Sequence, residues 1–132
     1  MAYIFITNND TDVKDMLDNK KASAYLPYTG PKVENILKNE LIFIYRTESG
    51  VIAYGYSSGQ NIIDSKCNSG LNSTLEDYVA LDKFTSLKMP VPFSVLRKLY
   101  SKYHNNKLVF VNITTKAISE MFAKAILNEI EK

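Results

Sequence analysis

The chain has 132 residues, of which 45% are hydrophobic, and a formal net charge of +2. This length is sufficient for one domain over residues 1–132 with a core that needs no disulfide or metal. No apolar run approaches the ~20 residues of a membrane span, so no membrane association is expected. One cysteine, Cys67, excludes an internal disulfide, and with a single histidine, His104, a Cys/His zinc site is excluded as well.

The start of the chain predicts a strand rather than a signal peptide. Met1–Thr7 lacks a basic leader and turns polar at Asn8. Together with the single cysteine, this predicts a cytoplasmic protein. The basic residues are nearly all lysines, because Arg46 and Arg97 are the only arginines. A solvated surface explains such lysines best when they are taken alone, and they permit nucleic-acid binding without requiring it.

The first third of the chain predicts a strand, a helix and a second extended segment. After the strand at residues 2–7, Asn9–Asp12 offers a helix cap, and Val13, Met16 and Leu17 form an apolar stripe at helical spacing. This helix should end near Asn19–Lys20. The segments that follow are an extended Ala22–Leu26, a Pro/Gly loop at Pro27–Pro31, and a short helix carrying Val33, Ile36 and Leu37.

The clearest local signal is a β-hairpin. Leu41–Tyr45 is β-branched and aromatic, Val51–Tyr56 alternates, and the polar turn between them ends in Gly50. Ser57–Gln60 is expected to break the second strand, and residues 61–74 are expected to form a surface loop or a short irregular strand. Tyr78–Leu87 then predicts a long strand that Met89–Pro92 terminates.

The remaining residues predict a helix, a strand and a final helix. Phe93–Tyr100 has a Leu/Val/Tyr helical face, and Leu108–Val111 predicts a buried strand. Thr115 is the expected N-cap of the last helix, whose apolar positions from Ile118 to Ile130 fit helical spacing. Strands joined by a hairpin, with helices between them, predict an α+β fold: a small mixed β-barrel with peripheral helices.

Several of these segments resemble the EVE domains of the PUA-like superfamily, to which YTH and ASCH domains also belong. The resemblance rests on the hairpin Lys38–Tyr56, on Asp82–Phe84 running into Pro90–Pro92, on Val109–Thr114, and on Ile4–Asn9. It implies a PUA-like barrel with a small pocket that holds a modified nucleobase. The chain departs from the family where a Lys-Ser-Glu-Pro segment and a tryptophan-containing segment are usual, and it contains no tryptophan at all. Tyrosines would therefore have to replace the aromatic cage of YTH proteins.

A flipped base needs an aromatic surface and polar groups that read its edge. Asparagine amides offer both a donor and an acceptor. Strand ends and loops expose such side chains, and closure of the barrel as in the resembled family would bring three such segments to one edge. The candidate ligand-binding residues are Asn8, Asn9, Tyr25, Tyr28, Tyr45, Asn112, Thr114 and Thr115.

Structural roles compete with several of these assignments. Asn9 and Asp10 are equally explained as helix caps, and a cap explains Thr115 better than a ligand contact does. At least two of Tyr45, Tyr54 and Tyr56 are expected to pack in the core. His104 fits a helix C-cap better than a catalytic base. Three further acidic residues share no functional spacing and are expected at a solvated surface: Asp64, Asp77 and Asp82.

Three functions follow as hypotheses. The first is a non-catalytic module of bacterial or phage origin that recognises a modified base in DNA or RNA. The second is a protein-interaction or inhibitor domain on the same scaffold, in a defence or counter-defence setting. The third, a small hydrolase or transferase, lacks a visible nucleophile or acid–base constellation. No cofactor is expected, since the sequence has no glycine-rich phosphate loop.

Overall fold

The computed structural model describes residues 1–25, 30–66, 74–110 and 113–132. Strands and helices alternate along the chain much as the sequence predicts. The strands are β1 (Ala2–Thr7), β2 (Lys21–Tyr25), β3 (Leu41–Arg46), β4 (Gly50–Lys66), β5 (Thr74–Val91) and β6 (Thr115–Ile118). The helices are α1 (Asp10–Asn19), α2 (Phe93–Ser101) and α3 (Glu120–Ile130), with a short 3-10 helix at Val33–Asn35.

The strands form one six-stranded sheet in the order β2-β5-β4-β3-β1-β6, curled into a half-barrel. β1 and β3 pair in parallel, and the other neighbours pair antiparallel. The predicted hairpin is confirmed, with Leu41 opposite Tyr56 and Arg46 opposite Gly50. The expectation of a small mixed α+β fold that resembles a barrel is therefore met.

Strands β1 and β3 contribute to two separate cores. Because successive strand residues point to opposite faces, Ile4 and Phe43 pack with residues of α2 and α3, such as Leu96 and Phe122. The second core, on the opposite face, contains Tyr3, Phe5, Ile42, Ile44, Met16, Val79 and Leu81. Burial on both faces explains why β1 and β3 read as nearly continuous apolar runs.

Strand β4 continues through the segment that was expected to break it. Pairing with β5 extends from Val51 to Lys66, and the register shifts between Ser57 and Asn61. Gly59 has φ +89 there, and its N–H donates to Ser57 Oγ (3.0 Å). A bulge thus absorbs the polar Gly-containing residues, so the prediction of a break at Ser57–Gln60 was wrong. Residues 61–66 are strand, whereas 67–73 lie outside the described residues.

Two further predictions near the C-terminus were wrong. The strand predicted at Leu108–Val111 is not formed over Leu108–Phe110, and Val111 lies outside the described residues. Leu108 is buried and Phe110 half-buried by packing against the first core, and an apolar run does not specify backbone pairing. Thr115 does not cap a helix, because Thr115–Ile118 pairs with β1 as strand β6. The cap is Ser119, whose Oγ accepts from Phe122 N (3.2 Å). Ile118 is therefore a strand residue, and its spacing from Phe122 fitted a helix by coincidence.

Two helix and strand boundaries also differ from the expectation. The helix expected around Val33–Leu37 is the single 3-10 turn Val33–Asn35, and Leu37 is exposed. Strand β5 continues through Pro90 to Val91, on the side that β2 leaves unpaired, where proline removes no ladder hydrogen bond. Within the described ranges, no helix is long and apolar enough to cross a membrane.

Candidate functional site

Three segments meet where β1 ends and α1 begins. The Ile6 N–H donates to Thr114 O (2.8 Å), and Thr115 Oγ1 donates to Pro31 O (2.6 Å). These two hydrogen bonds join the end of β1, the end of the Pro/Gly loop, and the start of β6. We call this junction the rim and define it by Ile6–Asn8, Gly30–Pro31 and Thr114–Thr115.

Glycine is required at one position of the rim. Gly30 has φ +105, a left-handed conformation that side chains strongly disfavour. A Cβ at this position would lie 2.0 Å from Thr115 O. The backbone at Gly30, near the end of the Pro/Gly loop, is therefore held directly against the start of β6.

The two asparagines after β1 have different roles. Asn9 is the N-cap of α1, and its Oδ1 accepts from Asp12 N (3.1 Å). Asn8 is exposed, one residue beyond the last residue of β1. The structural alternative therefore accounts for Asn9, and Asn8 presents its amide at the surface of the rim.

Tyr25 ends β2 and turns its hydroxyl into the protein. The residue is half-buried against the second core, and its hydroxyl oxygen has no hydrogen-bond partner among the described residues. The Ser23 hydroxyl is nearby but donates to Glu76 Oε2 (2.6 Å). Burial raises the pKa of Tyr25, the negative charges of Asp12 and Glu76 raise it further, and Ser23 opposes the shift only in part. Tyr25 thus lies opposite Glu76 in the β2–β5 pair and within reach of the charge of Asp12 in the first turn of α1.

The threonines of the rim hold the backbone in place. Thr115 is buried, and its hydroxyl is engaged by Pro31 O. Thr114 is half-buried, and its carbonyl accepts from Ile6 N. Thr115 therefore positions the rim and is not available to a ligand.

Of the remaining three candidates, only Tyr45 lies among the described residues; it is opposite Ile6 of the rim in the β1–β3 pair, and its ring turns into the first core. Tyr45 packs in the first core, where its ring meets Phe110 (4.8 Å between centroids) and Phe93 (6.3 Å) edge-on, and burial raises its pKa. This is the core on the side of α2 and α3, whereas Tyr25 packs against the other core. Tyr28 and Asn112 lie outside the described residues.

Beside Tyr25 lies a buried charged network that sequence reasoning missed. Lys21 Nζ is 2.8 Å from Glu76 Oε2 and 3.0 Å from Asp15 Oδ2, and the side chains of Lys21 and Glu76 are only 10% and 3% exposed. The Lys21 ammonium also lies 4.3 Å from the centre of the Tyr78 ring. We call Lys21, Asp15, Glu76 and Ser23 the Lys21 network. One signal for it is visible in β2, where polar Lys21, Ser23 and Tyr25 alternate with alanines.

The network balances burial against pairing. Burial alone lowers the pKa of Lys21, but hydrogen bonds and charge attraction from Glu76 and Asp15 outweigh it, so the pKa of Lys21 is raised. The ammonium is therefore held charged beneath α1. A lysine that is paired in this way is neither a nucleophile nor a base at neutral pH.

One expectation about acidic residues needs correction. Asp77 is 3% exposed and accepts from Asn61 Nδ2 (3.0 Å), so it is not at a solvated surface. Asp64 and Asp82 are exposed, as expected. No group of three metal-ligating side chains in the described part of the chain is arranged to hold an ion.

The chain was also compared with known proteins. No protein-family model, characterised protein or solved structure matches it significantly.

Proposed function

We propose that the chain is a non-catalytic binding module of the PUA-like type that recognises a modified nucleobase in DNA or RNA at the rim. The observation that carries the proposal is the pair of hydrogen bonds from Ile6 to Thr114 and from Thr115 to Pro31. They join three segments that the sequence marks as candidate ligand contacts. A curled sheet with an ordered loop junction at a strand end is a common setting for a binding site.

The chemistry proposed for the rim is edge recognition by an amide. Asn8 is exposed there, and an asparagine amide pairs with the donor–acceptor edge of a base. Tyr25 packs against the second core, and its buried hydroxyl is a donor without a described partner. Lysines on the surface would add contacts with phosphate groups.

The direct test is a binding screen of the full chain against modified nucleosides and short oligonucleotides. For any compound that binds, Asn8→Ala should weaken binding by about 1–3 kcal/mol, the range for a lost base-edge contact. Because Asn8 is exposed, the free energy of unfolding measured in urea should stay within about 0.5 kcal/mol of the wild-type value.

The matched control is Asn128→Ala, since Asn128 is an exposed asparagine on α3. This variant should bind like the wild type. Equal affinity for Asn8→Ala and Asn128→Ala would remove Asn8 from the site. Failure of every nucleoside and oligonucleotide to bind the wild type at millimolar concentration would end the base-recognition proposal.

A specific observation favours the protein-interaction alternative. Near the far end of the β4–β5 ribbon, Ile62, Ile63 and Leu75 are 50%, 58% and 41% exposed. Ile63 and Leu75 share one face of the paired strands and Ile62 lies on the other, and exposed apolar side chains on a strand pair are typical of contact sites for another protein. Under this alternative, Ile62→Ser/Ile63→Ser would abolish a saturable protein complex without changing nucleic-acid binding, and Asn8→Ala would affect neither.

A further inference from the structure

A basic groove lies on the side of the molecule where α2 ends. It has a volume of about 640 Å³ and is lined by the C-terminal half of α2 and by the chain up to Leu108. Arg97, Lys98 and Lys107 all line it, and no aspartate or glutamate of the described residues does. None of these three cations forms an ion pair in the portion that the structure describes. We call this feature the α2 groove.

The floor of the α2 groove is held by aromatic packing. The rings of Tyr100 and His104 stack with centroids 4.2 Å apart, and Tyr100 meets Phe122 of the first core edge-on at 5.0 Å. His104 Nε2 lies 3.1 Å from the Oγ of Ser119, the cap of α3. The His104 N–H donates to Tyr100 O (3.1 Å) at the end of α2, in line with the expected C-terminal cap, and its ring joins the groove to the start of α3. The groove is therefore a fixed surface anchored to both helices.

Helix stabilisation does not explain all of these charges. Lys98 lies in the last turn of α2, where a cation compensates the helix dipole. Lys107 lies six positions beyond Ser101, the last residue of α2, and Arg97 packs over the Phe93 ring at 5.9 Å. The C-terminal end of a helix dipole repels anions, so an anion in this groove would be bound by side chains. Asn105 and Asn106 add amide donors to the lining.

The geometry points to the α2 groove as a binding site for the phosphodiester backbone of a single nucleic-acid strand. This inference rests on the proposed function, and it assigns the backbone of the strand whose base is read at the rim. Arginine and lysine are the side chains that contact phosphates, and amides supplement them. An acid-free groove of this kind matches a polyanion better than a protein or a neutral metabolite.

The distance between groove and rim sets the length of strand. Lys107 and Thr114 are seven residues apart in sequence, so they are separated by at most about 25 Å. At about 3.4 Å per nucleotide along one strand, this corresponds to about seven nucleotides. An oligonucleotide of about eight nucleotides is therefore long enough to reach both sites.

The test compares two triple variants of the full chain in fluorescence anisotropy with a labelled single-stranded oligonucleotide that carries the best base from the nucleoside screen. The groove variant is Arg97→Gln/Lys98→Gln/Lys107→Gln. The control variant removes three exposed cations elsewhere: Lys83→Gln/Lys88→Gln/Lys124→Gln. Both variants lose the same formal charge, so a difference between them reports position and not net charge.

Salt dependence provides the quantitative readout. Each phosphate contact on a single strand contributes about −0.7 to the slope of log K against log salt concentration. The slope for the groove variant should therefore be less steep than the wild-type slope by about 2. At about 0.15 M salt the same three contacts correspond to a roughly fifty-fold loss of affinity. Lys107→Gln alone, outside the helix, should lose about 0.7 from the slope. The free nucleoside has no phosphate, so its affinity should be the same for the wild type and the groove variant.

The outcomes separate this inference from the proposed function. An unchanged slope in the groove variant, or an equal loss in the control variant, would overturn the assignment of the α2 groove as a phosphate-binding site. The base-recognition proposal would still stand if nucleosides bind the wild type. Absence of binding by the wild type to every nucleoside and oligonucleotide would overturn both. Circular dichroism and the urea midpoint establish that each variant is folded before it is compared.

Discussion

Replacement of Lys21 by methionine should destabilise the protein by about 3 kcal/mol, because it leaves two carboxylates without their shared cation. The range for breaking a buried ion pair is about 3–5 kcal/mol. The lower end applies, since Ser23 still donates to Glu76 and the Asp15 side chain keeps 19% exposure to water. Methionine is close to lysine in length, so lost packing should contribute little to the change.

A double-mutant cycle distinguishes pairing from packing. Glu76→Gln alone should cost about 2 kcal/mol, because Lys21 keeps Asp15 as a partner and glutamine still accepts from Ser23. In Lys21→Met/Glu76→Gln neither charge of that pair is left alone, so the combined loss should be smaller than the sum. The expected coupling energy is about 1–3 kcal/mol.

Urea unfolding monitored by circular dichroism measures each stability. With a slope of about 2 kcal/mol per molar urea, a loss of 3 kcal/mol moves the midpoint by about 1.5 M. Lys14→Met serves as the control, since Lys14 pairs with Asp18 at the surface and should cost under about 0.5 kcal/mol. If Lys21→Met behaves like Lys14→Met, or the cycle is additive, the network is not the buried ion pair described above.

Two other variants probe the cores. Phe122 is fully buried, so Phe122→Ala should lower the free energy of unfolding by about 3–5 kcal/mol. Met121→Ala, at a 58% exposed position, should lower it by under about 0.5 kcal/mol. Similar urea midpoints for the two variants would show that α3 is peripheral. Tyr25→Phe at neutral pH should change stability by under about 1 kcal/mol in either direction, because it removes a buried hydroxyl without a described partner. Because the pKa of Tyr25 is raised, the native state holds the hydroxyl proton at pH values above about 10, where an unfolded tyrosine loses it. The stability that this proton contributes is therefore fully present below about pH 10 and is lost as the pH rises further. Tyr25→Phe should therefore flatten the alkaline fall in stability, and an identical pH profile would contradict the assigned burial.

Local sequence signals predicted the elements that local geometry determines. The hairpin followed from β-branched strands around a turn ending in Gly50, and α1 followed from the cap at Asn9 and the apolar face of Val13 and Met16. Each of these signals is read within a window of about one element. The same reasoning marked candidate site residues at strand ends and loops, because such positions are identifiable without knowing their partners.

The errors concern features that depend on distant partners. The Ser23–Glu76 bond joins residues 53 positions apart, and β2 reveals its buried polar face only when it pairs with β5 beneath α1. Strand β4 survives its polar segment because β5 pairs beyond the bulge. Thr115–Ile118 has spacing compatible with a helix, and only its pairing with β1 makes it a strand. Sequence periodicity carries no information about which of these competing partners is present.

Neighbouring residues at the rim divide structural and functional tasks between them. Asn9 is committed to the cap of α1, and Thr115 to the hydrogen bond with Pro31, whereas Asn8 is exposed one position before the cap. Substitution of Asn9 or Thr115 would alter the backbone that shapes the site, so lost binding in those variants would not identify a ligand contact. Asn8 is free of such a described structural role. Its replacement therefore tests recognition itself, and this difference makes it the informative position in the rim.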